Sequence, residues 1–201
     1  TSGMWVLIGQ VDIVMIGTMI DAKSVGIYAI AMKIGMLSTF ILSSINMVLG
    51  PKFAELYFEN DYNGLVSIAK KSSKLIFICT APILLVLLLF GKIILGIFGE
   101  EFAIGYNALV FITLGQFINA ACGPVGYFLN MTGNQSVFNR IVMIGAVLNV
   151  VFNLLLIQRY GINGAAISSF ICGCFWNIVA LIYVKRKFGF VMGYFPFLLR
   201  S

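Results

Sequence analysis

Residues 10–35 read QVDIVMIGTMIDAKSVGIYAIAMKIG. Two apolar runs flank the polar DAKS at 21–24. Neither run alternates polar and apolar residues at period two, so the stretch predicts two helices folded back on each other and not a β-hairpin. Yet each run carries a charge, Asp12 in the first and Lys33 in the second. Asp12 lies eight residues before Ile20 and Lys33 eight after Val25. In an antiparallel hairpin closed by DAKS, both reach the same depth, about 12 Å from the turn at 1.5 Å per residue. A lone charge at mid-membrane costs at least about 2.5 kcal/mol on insertion scales, which demands a partner or a water-filled cavity. Two uses follow. The two residues form an ion pair that sets helix register, or they line a cavity where Lys33 meets an anionic group and Asp12 is a titratable coupling site.

Outward from this hairpin the chain keeps the same character. Of its 201 residues, 61% are apolar and only 10% are charged, against about a quarter charged in soluble domains. Its mean hydropathy is +1.04. Apolar segments at 4–20, 25–49, 75–98, 104–129, 141–157 and 162–184 have 17 to 26 residues each, the length that crosses a bilayer as helix. They predict an all-α polytopic membrane protein with six transmembrane helices. Eighteen Phe and twenty-one Gly suit helices that pack closely and present bulk to lipid.

The net charge of +6 reflects topology and not nucleic-acid binding. Nine of the thirteen basic residues, namely Lys52, Lys70, Lys71, Lys74, Arg140, Lys185, Arg186, Lys187 and Arg200, fall in the longer connections and the tail. The tight loops at 21–24, 99–103 and 158–161 hold only Lys23 and Arg159. The positive-inside rule then places the long connections and both ends of the segment in the cytoplasm. Residues 51–74, PKFAELYFENDYNGLVSIAKKSSK, predict two short amphipathic helices around an NDYNG turn, lying on anionic lipid. With no histidine, and with Cys79, Cys122, Cys172 and Cys174 all in apolar stretches, neither a metal site nor a disulfide framework is expected. No signal peptide is expected at the start of this segment. A hydrophobic segment is under way by Gly3, and the expectation is that more protein precedes Thr1.

Polar groups inside the spans narrow the candidate site. Gln116 and Asn119 are spaced i,i+3, and Asn149 and Asn153 i,i+4, so each pair shares one helical face. With Asn46, Asn107 and Asn177 they either hold helices together or line a cavity where amides bond sugar hydroxyls. The substrate-cavity candidates are therefore Lys33, Asp12, Gln116, Asn119, Asn149 and Asn153. Pro82 and Pro124 interrupt spans, and Gly123 beside Pro124 predicts a kink. Such a kink serves either a hinge or a static bundle.

The ordered series DIVMIG, VGIYAIAMKIG, NMVLGPKFAELY, IFGEEFAIGYNAL, FLNMTGNQ and NVVFNLLLIQRYGINGAAISS resembles the oligosaccharide flippase branch of the multidrug/oligosaccharidyl-lipid/polysaccharide exporter superfamily. The likeness covers nearly all of the chain. It implies a fold of two six-helix bundles around a central cavity, with this chain as the C-terminal bundle and an N-terminal six-helix half as its partner. The implied function is to flip an undecaprenyl-pyrophosphate-linked oligosaccharide across the bacterial cytoplasmic (inner) membrane for O-antigen, lipopolysaccharide or other surface polysaccharide synthesis. Membrane lipids and polysaccharide polymerase machinery are the further partners implied. No cofactor is implied, a sodium or proton gradient supplies any coupling, and the protein is not an enzyme. Where a lysine commonly follows the glycine of such proteins, this chain has Asn134, which makes that rim less basic.

Two other functions compete. A cation-coupled multidrug exporter of the same superfamily needs an accessible carboxylate, and pairing of Asp12 with Lys33 makes a cationic-drug site less attractive. A non-transporting membrane scaffold would use 51–74 as its interaction surface.

Overall fold

Local chemistry sets where the helices begin and stop. The computed structural model describes residues 2–194, with side chains from Gln10 onward; Arg200 of the basic tail lies outside the described residues. Helix α1 spans Ser2–Met19 and α2 spans Ala22–Gly35. Only Ile20 and Asp21 separate them, and the Asp21 carboxylate caps α2 by accepting from the Ser24 amide at 2.7 Å. That amide also holds the exposed Asp21 carboxyl below its usual range. Helix α3, Leu37–Phe58, follows after a 43° bend at Met36. Asp61 then caps α4, Tyr62–Gly96, through the Gly64 amide at 2.9 Å. A 3₁₀ turn, Glu100–Gly105, leads into α5, Tyr106–Cys122. Helices α6, Val125–Met131, α7, Gln135–Tyr160, and α8, Ile162–Phe188, complete the order.

The chain is an all-α polytopic membrane protein with four to five candidate spans among the described residues. The helices Tyr62–Gly96, Glu100–Cys122, Gln135–Tyr160 and Ile162–Phe188 are each long and apolar enough to cross, and α2 with α3 makes a fifth if the bent pair is one span. The described apolar part of α1, Gln10–Met19, is shorter than a crossing. Six spans were expected.

Three further boundaries differ from expectation. The segment 25–49 is not one straight helix. Gly35, just before its bend, lies so close to α5 that a Cβ there would sit 2.6 Å from Ile112. Residues 51–74 are not separate short helices: Pro51 lies inside α3, and α4 runs unbroken for 35 residues. The turn at 59–61 is where the sequence put it, but nothing between Ser67 and Phe77 is a helix breaker, so the basic stretch continues into the span. The kink at Gly123–Pro124 is a complete break. Gly123 adopts φ +72°, and Pro124, lacking an N–H, opens the next helix instead of extending the last.

Packing is layered. α8 lies between α5 and α7, α5 between α8 and α4, and α1 against α2 and α7. One core gathers Phe53, Leu65, Phe128, Phe138 and Val184 at the end of the bundle near the 59–61 turn. Near the opposite turns, Ile16, Tyr28, Ala108, Ala165 and Ala166 form a second. The outer faces of α4 and α7 stay apolar and uncovered, with Leu89 74% and Leu155 60% exposed. Those faces suit lipid, which removes most of the hydrophobic drive for helix association and leaves close packing and polar contacts to hold the bundle.

Close packing reaches the backbone itself at the α7–α8 turn, where a Cβ on Gly164 would lie 2.2 Å from the Leu156 carbonyl oxygen. That obstacle is backbone and cannot rotate away. Gly164→Ala is therefore expected to destabilise by about 1–3 kcal/mol through overpacking, read as a lower melting temperature of the purified protein. Gly26→Ala, which meets nothing within 4 Å, serves as the control and should hold or slightly raise it.

Candidate functional site

Asp12, on α1, is 2% exposed, and its two oxygens are met by three helices. The Tyr28 hydroxyl on α2 donates to Oδ2 at 2.8 Å, and the Ser169 hydroxyl on α8 donates to the same oxygen. The Asn153 amide on α7 donates to Oδ1 at 2.7 Å. A second tier supports these donors. Asn153 Nδ2 lies 3.3 Å from Asn149 Oδ1, and Asn149 Nδ2 lies 3.3 Å from Ser169 Oγ. Asn149 and Asn153 reach the same carboxylate because i,i+4 spacing stacks them on the face of α7 turned to α1.

Among the described residues, every donor to Asp12 is neutral. An ionised carboxylate in this position is hydrogen-bonded without being charge-balanced by them. The oxygen complement of the cluster is also incomplete, since Asn153 Oδ1 is buried without a hydrogen-bond partner.

Lys33 is not part of this cluster. It is exposed, and the ion pairs among the described residues are Lys23–Glu101 at 2.8 Å and Lys52–Glu55 at 2.5 Å. The expected Asp12–Lys33 pair fails for a geometric reason. The turn is two residues, Ile20 and Asp21, and not the four of DAKS, so the position level with Asp12 is near 28–29. Lys33 is four to five residues deeper, about 6 Å, and about 140° around the helix from Tyr28.

The remaining candidates sit elsewhere. Asn119 Nδ2 donates to Gln116 Oε1 at 3.3 Å, and the pair borders a cleft with Ser38, Thr39 and Thr80, separate from Asp12. Asn177 bonds the Gly173 carbonyl of its own helix at 2.9 Å, and Asn107 is exposed. Tyr28 and Ser169 were missed by sequence reasoning. Tyr28 was legible in principle, because it lies as far after Ile20 as Asp12 lies before it. Ser169, 157 residues from Asp12, carried no local signal.

At the end of the bundle near the 132–134 turn, Asn134 gathers a second polar group. Its Oδ1 accepts from Lys187 at 2.6 Å and from the Tyr183 hydroxyl at 3.1 Å, while its Nδ2 donates to the Thr132 carbonyl at 2.7 Å. Asn134 thus positions a lysine from α8.

Lipid-facing helices around a buried, neutral-donor carboxylate define a class: polytopic membrane proteins with an ionisable centre inside the bundle. A family model described as MatE matches residues 2–155, and the chain belongs to the MatE family. It is 24% identical over 159 residues to a probable low-salt glycan biosynthesis flippase, Agl15, of Haloferax volcanii, a match covering 79% of this chain and 34% of the relative. It is also 28% identical over 178 residues to the uncharacterized membrane protein MJ1068 of Methanocaldococcus jannaschii, covering 83% of this chain and 35% of the relative. The chain thus spans about a third of the length of these relatives. No solved structure matches at a significant level.

Double-mutant cycles on thermal stability separate the observed contacts from the expected pair. Asp12 and Tyr28, tested with Asp12→Asn and Tyr28→Phe, should show coupling of about 1.5–3 kcal/mol, as for a hydrogen bond to a charged group. Asp12→Asn with Lys33→Gln should be additive within about 0.5 kcal/mol.

Proposed function

We propose that the chain is part of a cation-coupled exporter, with Asp12 at the coupling centre. The observation that carries this reading is the Asp12 carboxylate itself, buried where four helices meet and faced, among the described residues, only by uncharged groups. Sodium and the proton are the two cargo cations that suit it. Turning the Asn153 amide over would bring its unpartnered Oδ1 toward Asp12 and Asn149. Carboxylate, amide and Ser169 hydroxyl oxygens would then form the all-oxygen set that a hard monovalent cation prefers. A proton needs less, only one Asp12 oxygen.

Membership of the MatE family supports an exporter working by alternating access, and so does a carboxylate that ties the first helix to three others. In this reading α1 and the bent α2–α3 pair each cross the membrane, giving six crossings. The long basic connections and both ends of the segment then lie in the cytoplasm, with further protein completing the transporter and its cavity. Transport makes and breaks no covalent bond, so the protein is not an enzyme.

Organic cations are the first substrate class for such an exporter. With Lys33 turned away, the Asp12 charge is not neutralised by the neighbour expected to oppose a cationic substrate. A second reading rests on the Haloferax relative, whose name is that of a glycan flippase. Here the cargo is an undecaprenyl-pyrophosphate-linked oligosaccharide, and Lys33, an exposed ammonium inside the α2–α3 span, meets the pyrophosphate. Membrane lipid accommodates the polyprenyl chain, and polysaccharide polymerase machinery takes the delivered product.

Reconstituting the complete protein in vesicles under a sodium or proton gradient tests both readings. Asp12→Asn should abolish the gradient dependence of export at unchanged protein abundance, and retention of full gradient-driven export would refute the coupling role. Lys33→Gln separates the substrates: it should spare export of an organic cation and, if the cargo is the lipid pyrophosphate, cut flipping by roughly tenfold or more.

A further inference from the structure

Away from Asp12, a second buried polar cluster stands beside a helix bend, an in-helix proline and a helix break. Ser38 and Thr39 on α3, Thr80 on α4, and Gln116 and Asn119 on α5 line a cleft. As packed, it has no room for a water molecule. Ser38 and Thr80 are each 2% exposed, and neither hydroxyl has a hydrogen-bond partner. Thr113, nearly a turn before Gln116 on α5, is fully buried and its hydroxyl is likewise unpartnered. Buried hydroxyls left this way are costly and uncommon. Their nearest local remedy, a bond to the carbonyl one turn back, is taken by Ser72, Ser73 and Ser168 in the same bundle but not by these three.

The surroundings indicate what would satisfy them. Ser38 is two residues past the 43° bend at Met36. Thr80 is two residues before Pro82, which lies inside α4. Asn119 is four residues before Gly123, where α5 breaks. Each wall of the cleft therefore has an irregular point within about one helical turn, and such points are where helices pivot. The lining offers hydroxyl and amide groups and no charge. That composition suits a small neutral molecule that both donates and accepts, and it gives a cation no carboxylate.

We propose that this cleft is a water-binding site, closed in the present conformation and filled when α3 pivots about Met36. That this pivot belongs to a transport cycle rests on the exporter reading; the opening and the water uptake do not. Closed, the cleft leaves the Ser38 and Thr80 hydroxyls unpaired; open, water pairs them. The two conformations are thereby brought closer in free energy, as a reversible cycle requires. The cleft acts as a hydrated hinge, distinct from the coupling centre at Asp12.

The experiment uses the complete protein. S38A/T80V removes two unpaired hydroxyls from the closed cleft and should raise the melting temperature, an unusual result for changes in a packed interior. Turnover of gradient-driven export should fall several-fold with KM unchanged. In parallel, Ser38→Cys, in the protein with its native cysteines replaced by Ala, should react with a small water-soluble thiol reagent despite its burial, and Thr80→Val in that background should slow the reaction several-fold. A lower melting temperature for accumulated S38A/T80V, or a Ser38→Cys thiol inert to the aqueous reagent, would overturn the proposal. If S38A/T80V does not accumulate, the labelling pair alone decides. Labelling is independent of cargo, so a protein that exports nothing under any gradient would sink the exporter reading while leaving water uptake to be judged.

Discussion

A carboxylate inside a membrane bundle has to be solvated by its own protein, and in this chain that requirement gathers helices that lipid would otherwise let drift. Asp12 draws a hydroxyl from α2, an amide from α7 and a hydroxyl from α8. Asn149 then links α7 to α8 behind them. Apolar burial could not do this alone, because the outer faces of α4 and α7 are as content against lipid as against another helix. A hydrogen bond to a charged group with no competing water gives direction as well as attraction. The apolar layer of Ile16, Tyr28, Ala165 and Ala166 then packs around a register that the polar contacts set.

The same constraint ties four helices to one group. Three neutral donors among the described residues hold the carboxylate in place without cancelling its charge. A lysine partner would have locked the hairpin more simply. The two-residue turn at Ile20–Asp21 prevents that by lifting Tyr28, and not Lys33, to the level of the carboxylate. Lys33 is left as an exposed charge within a membrane-length helix pair, which matters only if water or a further part of the protein faces it.

Helix irregularities supply the complementary property. The bend at Met36, Pro82 in α4 and the break at Gly123–Pro124 fall beside the polar cleft of Ser38, Thr80 and Asn119. The break also frees backbone groups, and the chain after α8 uses one of them: the Tyr194 amide bonds the Ala121 carbonyl at 2.8 Å. Phe190 and Met192 of that returning segment are buried in the core around Phe128. Rigid polar clamping at Asp12 and weakened helix continuity at the cleft thus occupy different parts of one small bundle.

Much of this was determined by the sequence alone. Apolar run lengths, the three tight turns and the distribution of lysines require a helical membrane protein, because helix is the local way to satisfy backbone polar groups in lipid. Burial of Asp12 on a protein-facing side, and the common face of Asn149 and Asn153, followed from the cost of a charge in hydrocarbon and from helical periodicity. Partnership did not follow. Which side chain meets Asp12 depends on the exact length of a turn and on helical phase, where two residues shift a group by about 3 Å and 160°, and sequence cannot resolve that. Tertiary structure alone brought Ser169 and Asn153 to a carboxylate more than 140 positions away, and it alone turned Lys33 outward.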